Sequence, residues 1–279
     1  MPIDLKNVSF IYNPGTPLEV YALNQIKVTL EEGLITGVIG PTGSGKSTLL
    51  MLLNGLLKPN RGEVTVDGIS TTQKQELKAI RKKVQLIFQY PEYQLFAETV
   101  FEEIAFGPKN FGIEITEQKA LELLEQVGLD KGCLYRSPFE LSGGEKRRLA
   151  IASVLGISPK YLILDEPAAA LDPLGKETIY RLLLSLKNQG VTVVIVSHNM
   201  DEVALLCDRI LVLDRGNVVA YGEKTEVFLS LLERNVPGLN LPVYTQVLKH
   251  MQNRGIRVNP KFILEDTVQE ILRVVRGNA

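Results

Sequence analysis

The chain has 279 residues and an almost even balance of 31 Lys and Arg against 32 Asp and Glu, which excludes a strongly basic nucleic-acid binder. Hydrophobic residues make up 45% and charged residues 23%, the ordinary mix of a globular chain large enough to bury a sizeable core. The longest apolar runs, Leu49 to Leu53 and Val203 to Cys207, fall far short of the roughly 20 residues of a membrane-spanning helix.

The start, Met1-Pro2-Ile3-Asp4, lacks the basic stretch and apolar run of a secretory signal. The first 70 or so residues read mostly as strands. Ile26, Val28 and Leu30 alternate with polar residues, as do Val64 and Val66, and Asn13-Pro14-Gly15 and Asp67-Gly68 mark turns. The apolar run Leu34 to Ile39 ends in a glycine loop. A leucine-rich helix is expected from about Lys46 to Leu57, closed by Lys58-Pro59. From Glu76 to Lys160 the pattern is mostly helical, interrupted by a strand-like run, Val84 to Phe88. Strand and helix then alternate: Tyr161 to Leu164, a helix from Pro173 with Asp172 as N-cap and Gly190 at its end, then the β-branched run Val191 to Val196. This order predicts an α/β fold with a largely parallel sheet covered on both faces. After about Asn235, Pro237, Gly238 and Pro242 form a linker. Two amphipathic helices follow, with Val243, Val247, Leu248 and Met251 on one face of the first and Val268, Ile271, Leu272 and Val275 on one face of the second. Cys133 and Cys207 are too few for a disulfide framework, and no Cys/His cluster marks a metal site. The expectation is a reduced, cytosolic protein.

Gly40-Pro41-Thr42-Gly43-Ser44-Gly45-Lys46-Ser47 fits G-x-x-x-x-G-K-[ST], with a strand before it and a helix after it. Glycines let backbone N–H groups turn inward to phosphate oxygens, and the helix N-terminus favours negative charge. Lys46 would reach the β- and γ-phosphates, and the Ser47 hydroxyl would ligate Mg²⁺. At the end of the run Tyr161 to Leu164, Asp165 is placed to join the Mg²⁺ shell and Glu166 to orient or deprotonate a water. Leu141-Ser142-Gly143-Gly144-Glu145 reads as a capping box, with Ser142 as N-cap and Glu145 three residues on. Its two glycines exceed what a cap needs and suit a second anion site.

With these motifs in order, residues from about Ile3 to Phe228 resemble the nucleotide-binding subunits of ABC transporters. Gly40 to Thr48 matches the Walker A loop, Gln89 the Q-loop, Leu141 to Glu145 the signature and Tyr161 to Glu166 the Walker B strand. Ala170-Leu171-Asp172 matches the D-loop and His198 the switch histidine. The resemblance implies a P-loop, RecA-like ATPase core with an antiparallel β subdomain and a helical signature subdomain at about 90–160. The ATPase domain would span 1–234, and the helical region 235–279 would serve dimerisation. It further implies two domains paired head to tail. ATP held by one Walker A loop would be capped by Ser142, Gly143 and Gly144 of the other. Glu166 would polarise the attacking water, His198 would touch the γ-phosphate, Gln89 would join the Mg²⁺ shell, and Tyr12 would stack on adenine.

The stretch Gln89-Tyr90-Pro91-Glu92-Tyr93-Gln94-Leu95-Phe96, continuing to Ala105-Phe106-Gly107-Pro108, resembles the energy-coupling factor (ECF) branch, which imports vitamins or cobalt and nickel ions. There it forms a groove for helices of a transmembrane coupling subunit, at the cytoplasmic face of the membrane, with a substrate-binding membrane subunit contacted only indirectly. Two ATPases of that branch pair as like or unlike copies, and this chain resembles the second type more than the first. Two other readings stay open: a soluble ABC protein of translation or DNA repair, and the ATPase of another importer class. Against the soluble types stand the lack of a tandem cassette and of a long coiled coil. The segment Pro167-Ala168-Ala169-Ala170 departs from the usual Thr-Ala-Gly or Thr-Ser-Gly and loses a hydroxyl at Ala168.

Overall fold

A computed structural model describes residues 2–169, 171–234 and 238–277. Ala170 of the D-loop motif, and Asn235 and Pro237 of the linker, lie outside the described residues. Two sheets carry the molecule. The smaller is antiparallel, ordered β2-β1-β4-β5, and comprises β1 (Ile3–Tyr12), β2 (Val20–Leu30), β4 (Arg61–Val66) and β5 (Ile69–Ser70). The larger runs β10-β9-β3-β8-β7-β6. Its members are β3 (Ile35–Ile39), β6 (Val84–Ile87), β7 (Tyr161–Asp165), β8 (Thr192–Val196), β9 (Arg209–Asp214) and β10 (Asn217–Glu223). All its pairings are parallel except that of β10 with β9. The expected α/β architecture, with an antiparallel subdomain beside a mostly parallel sheet, is what the chain forms.

Period-two alternation divides the large sheet between two cores. Val38, Ile163, Val194, Val196, Leu211 and Leu213 face the small sheet, and between the two sheets lies α1 (Lys46–Leu53), whose Leu49, Leu50, Leu52 and Leu53 are buried on both sides. Ile35, Ile39, Leu162, Leu164, Val193 and Ile195 face the other way. That second core takes in α3 (Val100–Asn110), α4 (Glu117–Gln126), α5 (Gly143–Leu155), α6 (Pro173–Asn188), α7 (Met200–Leu206) and α8 (Lys224–Glu233). A short α2 (Leu77–Lys83) precedes β6. Beyond the linker come α9 (Val243–Asn253) and α10 (Leu264–Gly277).

Helix α1 stops at Leu53, short of the expected Leu57. Gly55 takes φ +69°, and the amides of Gly55 and Leu56 turn back to the carbonyls of Leu52 and Met51, so a glycine C-terminal cap ends the helix before Lys58-Pro59 is reached. The expected N-caps hold. Asp172 accepts from the Gly175 amide at 2.7 Å, and Ser142 and Glu145 form a reciprocal capping box on α5.

A charged cluster joins the two sheets. Asp67, in the turn between β4 and β5, accepts from Lys83 at 2.7 Å, from Lys160 at 2.7 Å and from the Tyr161 hydroxyl at 2.8 Å. Burial works against its ionisation, but the hydrogen bonds from Lys160, Lys83 and Tyr161 together hold the Asp67 carboxyl well below the usual range. The two thiols are buried and unbridged. Cys207 closes α7 against β3, so near that a Cβ on Gly37 would lie 2.7 Å from its sulfur. Burial pushes the Cys207 thiol well above its ordinary value.

Candidate functional site

The loop between β3 and α1 is a backbone cradle. Gly40, Gly43 and Gly45 take φ of +153°, +78° and +101°, a region costly for residues that carry a Cβ. A Cβ at Gly40 would lie 2.1 Å from the Leu213 carbonyl oxygen, and one at Gly45 would lie 2.4 Å from that of Ala22. Gly43 faces open space instead. Lys46 is buried, and its ammonium donates to the carbonyls of Gly40 and Pro41 at 2.8 and 2.9 Å. Burial pulls its pKa below the ordinary lysine value, while the nearby Asp165 and Glu166 carboxylates pull it back.

β7 runs beside β8, which pairs with β3, so the end of β7 is brought to the cradle. Asp165 accepts from the Ser47 hydroxyl at 3.2 Å. Burial raises the Asp165 pKa and the Glu166 charge adds to it, against the opposing pull of Ser47, Lys46 and His198. Glu166 is gripped from two sides: Gln89 Nε2 donates to one carboxylate oxygen at 3.2 Å, and His198 Nε2 stands 3.2 Å from the other. Its backbone has φ +53°, strained for a non-glycine residue, and its amide donates to the Val196 carbonyl at 2.9 Å. Beyond it the Ala169 amide donates to the Glu166 carbonyl at 3.2 Å and the Leu171 amide to the Ala168 carbonyl at 3.4 Å.

A cavity of about 460 Å³ gathers most of the expected residues: Tyr12, Thr42, Gly43, Gly45, Lys46, Ser47, Thr48, Gln89, Asp165, Glu166 and His198. Gly40, Pro41 and Ser44 shape the loop without lining it; the Ser44 amide bonds back to the Pro41 carbonyl at 3.2 Å. Tyr12 shares a 3.1 Å hydrogen bond with Thr48 and meets Phe10 edge to face. Val20, Tyr21, Ala22 and Val196 also line the cavity and were missed from sequence. The signal for Tyr21 was its place on β2 opposite Ile11, one residue from Tyr12. Ser142, Gly143 and Gly144 do not line this cavity. They open α5, with nothing within 4 Å of a Cβ on Gly143.

The connector after β6 needs one correction. Leu95, expected on the surface of a docking groove, is only 7% exposed and packs in the main core with Val100 and Ile104. The exposed apolar surface there is aromatic: Tyr90, Tyr93 at 83%, Phe96 and Phe106, the last two packed edge to face at 4.6 Å.

The family model described as ABC transporter matches residues 23–169, which hold the cradle, the signature and the acid pair. The chain belongs to the ABC transporter ATPase family. Among ABC relatives, the energy-coupling factor transporter ATP-binding protein EcfA2 of Caldanaerobacter subterraneus is 46% identical, with 99% of each chain covered. The EcfA2 of Clostridium perfringens is 43% identical over the whole of both chains. Among solved structures, cbiO1 from Clostridium perfringens, described as part of the ABC transporter complex cbiONQ, matches with TM-score 0.71 and 30% identity, covering 90% of this chain and 98% of that one. The dimeric ABC cassette MJ0796 matches with TM-score 0.72 and 34% identity, covering 79% and 98%.

An ABC ATPase binds ATP and ADP, and the cradle fits them. Its open side at Gly43, its buried ammonium and the helix N-terminus suit phosphate oxygens. Ser47, Gln89 and Asp165 form an oxygen-bearing set on one side of the same cavity, the donor chemistry of a hard cation such as Mg²⁺, which typically takes one or two carboxylates and phosphate oxygens.

Proposed function

We propose that this chain is the ATP-hydrolysing subunit of an ECF importer, working at the cytoplasmic face of the membrane. It pairs head to tail with a second cassette and drives uptake of a vitamin or a transition-metal ion. Lys46 and the loop amides of residues 42–48 hold the phosphates, and Tyr12 stacks on adenine. Ser47, Gln89 and Asp165 hold Mg²⁺, which supplies charge neutralisation at the phosphates. Glu166 orients and deprotonates the attacking water, with His198 bridging from its side chain to the γ-phosphate. Phosphoryl transfer needs positioning and charge stabilisation more than covalent chemistry, and these groups supply both.

The observation that carries the reading is a separation. The Ser-Gly-Gly start of α5 is capped, exposed at Ser142 and Gly143, and absent from the cavity that collects the rest of the site. A second cassette turned head to tail would bring its own Ser142, Gly143 and Gly144 to that cavity. Hydrolysis then requires closure, which couples it to motion. The ECF assignment is supported by relatives named EcfA2 across nearly the full length and by the aromatic surface of Tyr90, Tyr93, Phe96 and Phe106, which suits helices of a transmembrane coupling subunit. Region 235–279 serves dimerisation in this reading, supported by the exposure of Val243, Val247, Val268 and Val275 on α9 and α10.

The deciding experiment recovers the chain from native membranes through a tag and identifies what accompanies it. A membrane-embedded coupling subunit and a second cassette are expected; ribosomal or repair proteins in their place overturn the assignment. In the recovered complex Glu166→Gln should keep ATP binding while turnover falls by about 10²–10⁴-fold. Retained turnover removes Glu166 as the base.

A further inference from the structure

Arg147 is the fifth residue of α5, and its side chain is 3% exposed. A buried guanidinium persists only when its donors are satisfied, and the partners here come from two distant segments. Its Nε and Nη2 fork onto both oxygens of Glu92, at 3.3 and 3.2 Å. Its Nη1 donates to the carbonyl of Ala169. The Tyr90 ring lies 5.8 Å from the guanidinium carbon.

Two of these partners lead to Glu166. Tyr90 follows Gln89, whose amide holds one Glu166 oxygen. Ala169 closes the turn onto the Glu166 carbonyl at 3.2 Å. That turn begins with a residue at φ +53°, a conformation that lasts only where the surroundings enforce it. The other end of the fork grips the connector that exposes Tyr90, Tyr93 and Phe96.

We propose that Arg147 is a positioning residue for hydrolysis: through Glu92 and the Ala169 carbonyl it locks the aromatic connector to the turn that sets Glu166, so that force on the connector alters the placement of that carboxylate. This rests on the reading of Glu166 as the group that activates water. A planar fork with fixed donor angles transmits such a displacement; the flexible, single-headed ammonium of lysine does not.

The test is a double-mutant cycle on ATP turnover in the recovered complex, using Glu92→Gln, Arg147→Lys and the pair. Each single change should lower kcat about tenfold or more, since small misplacements near reacting groups are amplified, with KM for ATP held within about twofold. The pair should be no worse than the worse single change, because both break one link. Unchanged kcat in a folded variant, or losses that multiply, overturns the proposal. If Arg147→Lys does not fold, Glu92→Gln decides by hydrogen exchange: faster exchange of the 166–169 amides is expected, and unchanged exchange there rejects the link. Glu166→Gln is run beside them. Retained turnover in that variant alone faults the assignment of the base, whereas a flat cycle with Glu166→Gln inactive faults the Arg147 link.

Discussion

Gly45 and Gly43 share a left-handed backbone but differ in surroundings. At Gly45 an added methyl would meet the Ala22 carbonyl oxygen, a backbone atom that cannot swing aside; at Gly43 it would meet nothing. Gly45→Ala should therefore add an overpacking cost of about 1–3 kcal/mol to the left-handed cost of roughly 1–2 kcal/mol, which is all that Gly43→Ala carries. Urea midpoints of the two variants check the ranking; equal losses would mean that contact with β2 is not what the loop depends on. Lys46→Ala removes the buried ammonium and should weaken ATP binding by about 1.5–3 kcal/mol, the usual worth of a charged hydrogen bond, read by titration with a fluorescent nucleotide. Glycines, Lys46, Asp165 and Glu166 were legible because their chemistry demands those residue types at fixed spacing. Tyr21 was not, since one exposed aromatic in a strand looks like any surface residue until the pairing of β2 with β1 sets it opposite Ile11, next to Tyr12. Arg147 carries no motif signal of its own, and its partners lie 55 and 22 positions away in the chain.

At the scale of elements, the strands were readable because alternation is local, and the P-loop strand and helix fell where expected. The end of α1 was not, because Leu56 and Leu57 carry the leucine pattern on past Asn54-Gly55, where the helix stops. Leu95 was misjudged for a related reason: flanking aromatics made the segment read as surface, and only packing against α3 decides that the leucine turns inward. The Asp67 cluster is an element-scale device, since it ties the β4–β5 turn to β7 and to α2. Its carboxyl is depressed in the folded state, so its contribution is complete above the unfolded value of about 3.9 and is lost as pH falls through the folded value. The urea midpoint should hold from neutrality to about pH 5 and fall below about pH 4. Asp67→Asn should lower the midpoint at neutral pH and flatten the acid fall; a variant with the wild-type acid profile would show that other carboxylates govern it.

Across the whole molecule, the second anion site expected at Ser142 to Gly144 takes its meaning from the proposed pairing with a second chain. Ser142 to Gly144 form a sound helix cap; among the described residues Leu171 lies against Gly144, while nothing comes within 4 Å of a Cβ on Gly143. The sequence motif shows glycines in excess of a cap there, and the purpose proposed for them is a contact between molecules. Two consequences of the proposed pairing can be measured. Replacing Ser142 by Arg should leave ATP binding to the Walker A loop within about twofold while turnover falls by about 10²-fold or more, because charge stabilisation is lost at the partner's nucleotide. Replacing Val247 and Val268 together by Glu should shift the full chain toward monomer in sedimentation while its melting temperature barely changes, since both side chains are already exposed. A large fall in melting temperature would mean that the two valines serve packing within the chain instead.

The sulfur of Cys207, wedged between α7 and β3 with its thiol held protonated, has a practical corollary. A maleimide can reach it only after α7 parts from β3, so the labelling rate becomes a clock for that opening. Any nucleotide that tightens the cradle should slow that clock, giving a gauge of occupancy in purified protein whose other free thiol, Cys133, has been replaced.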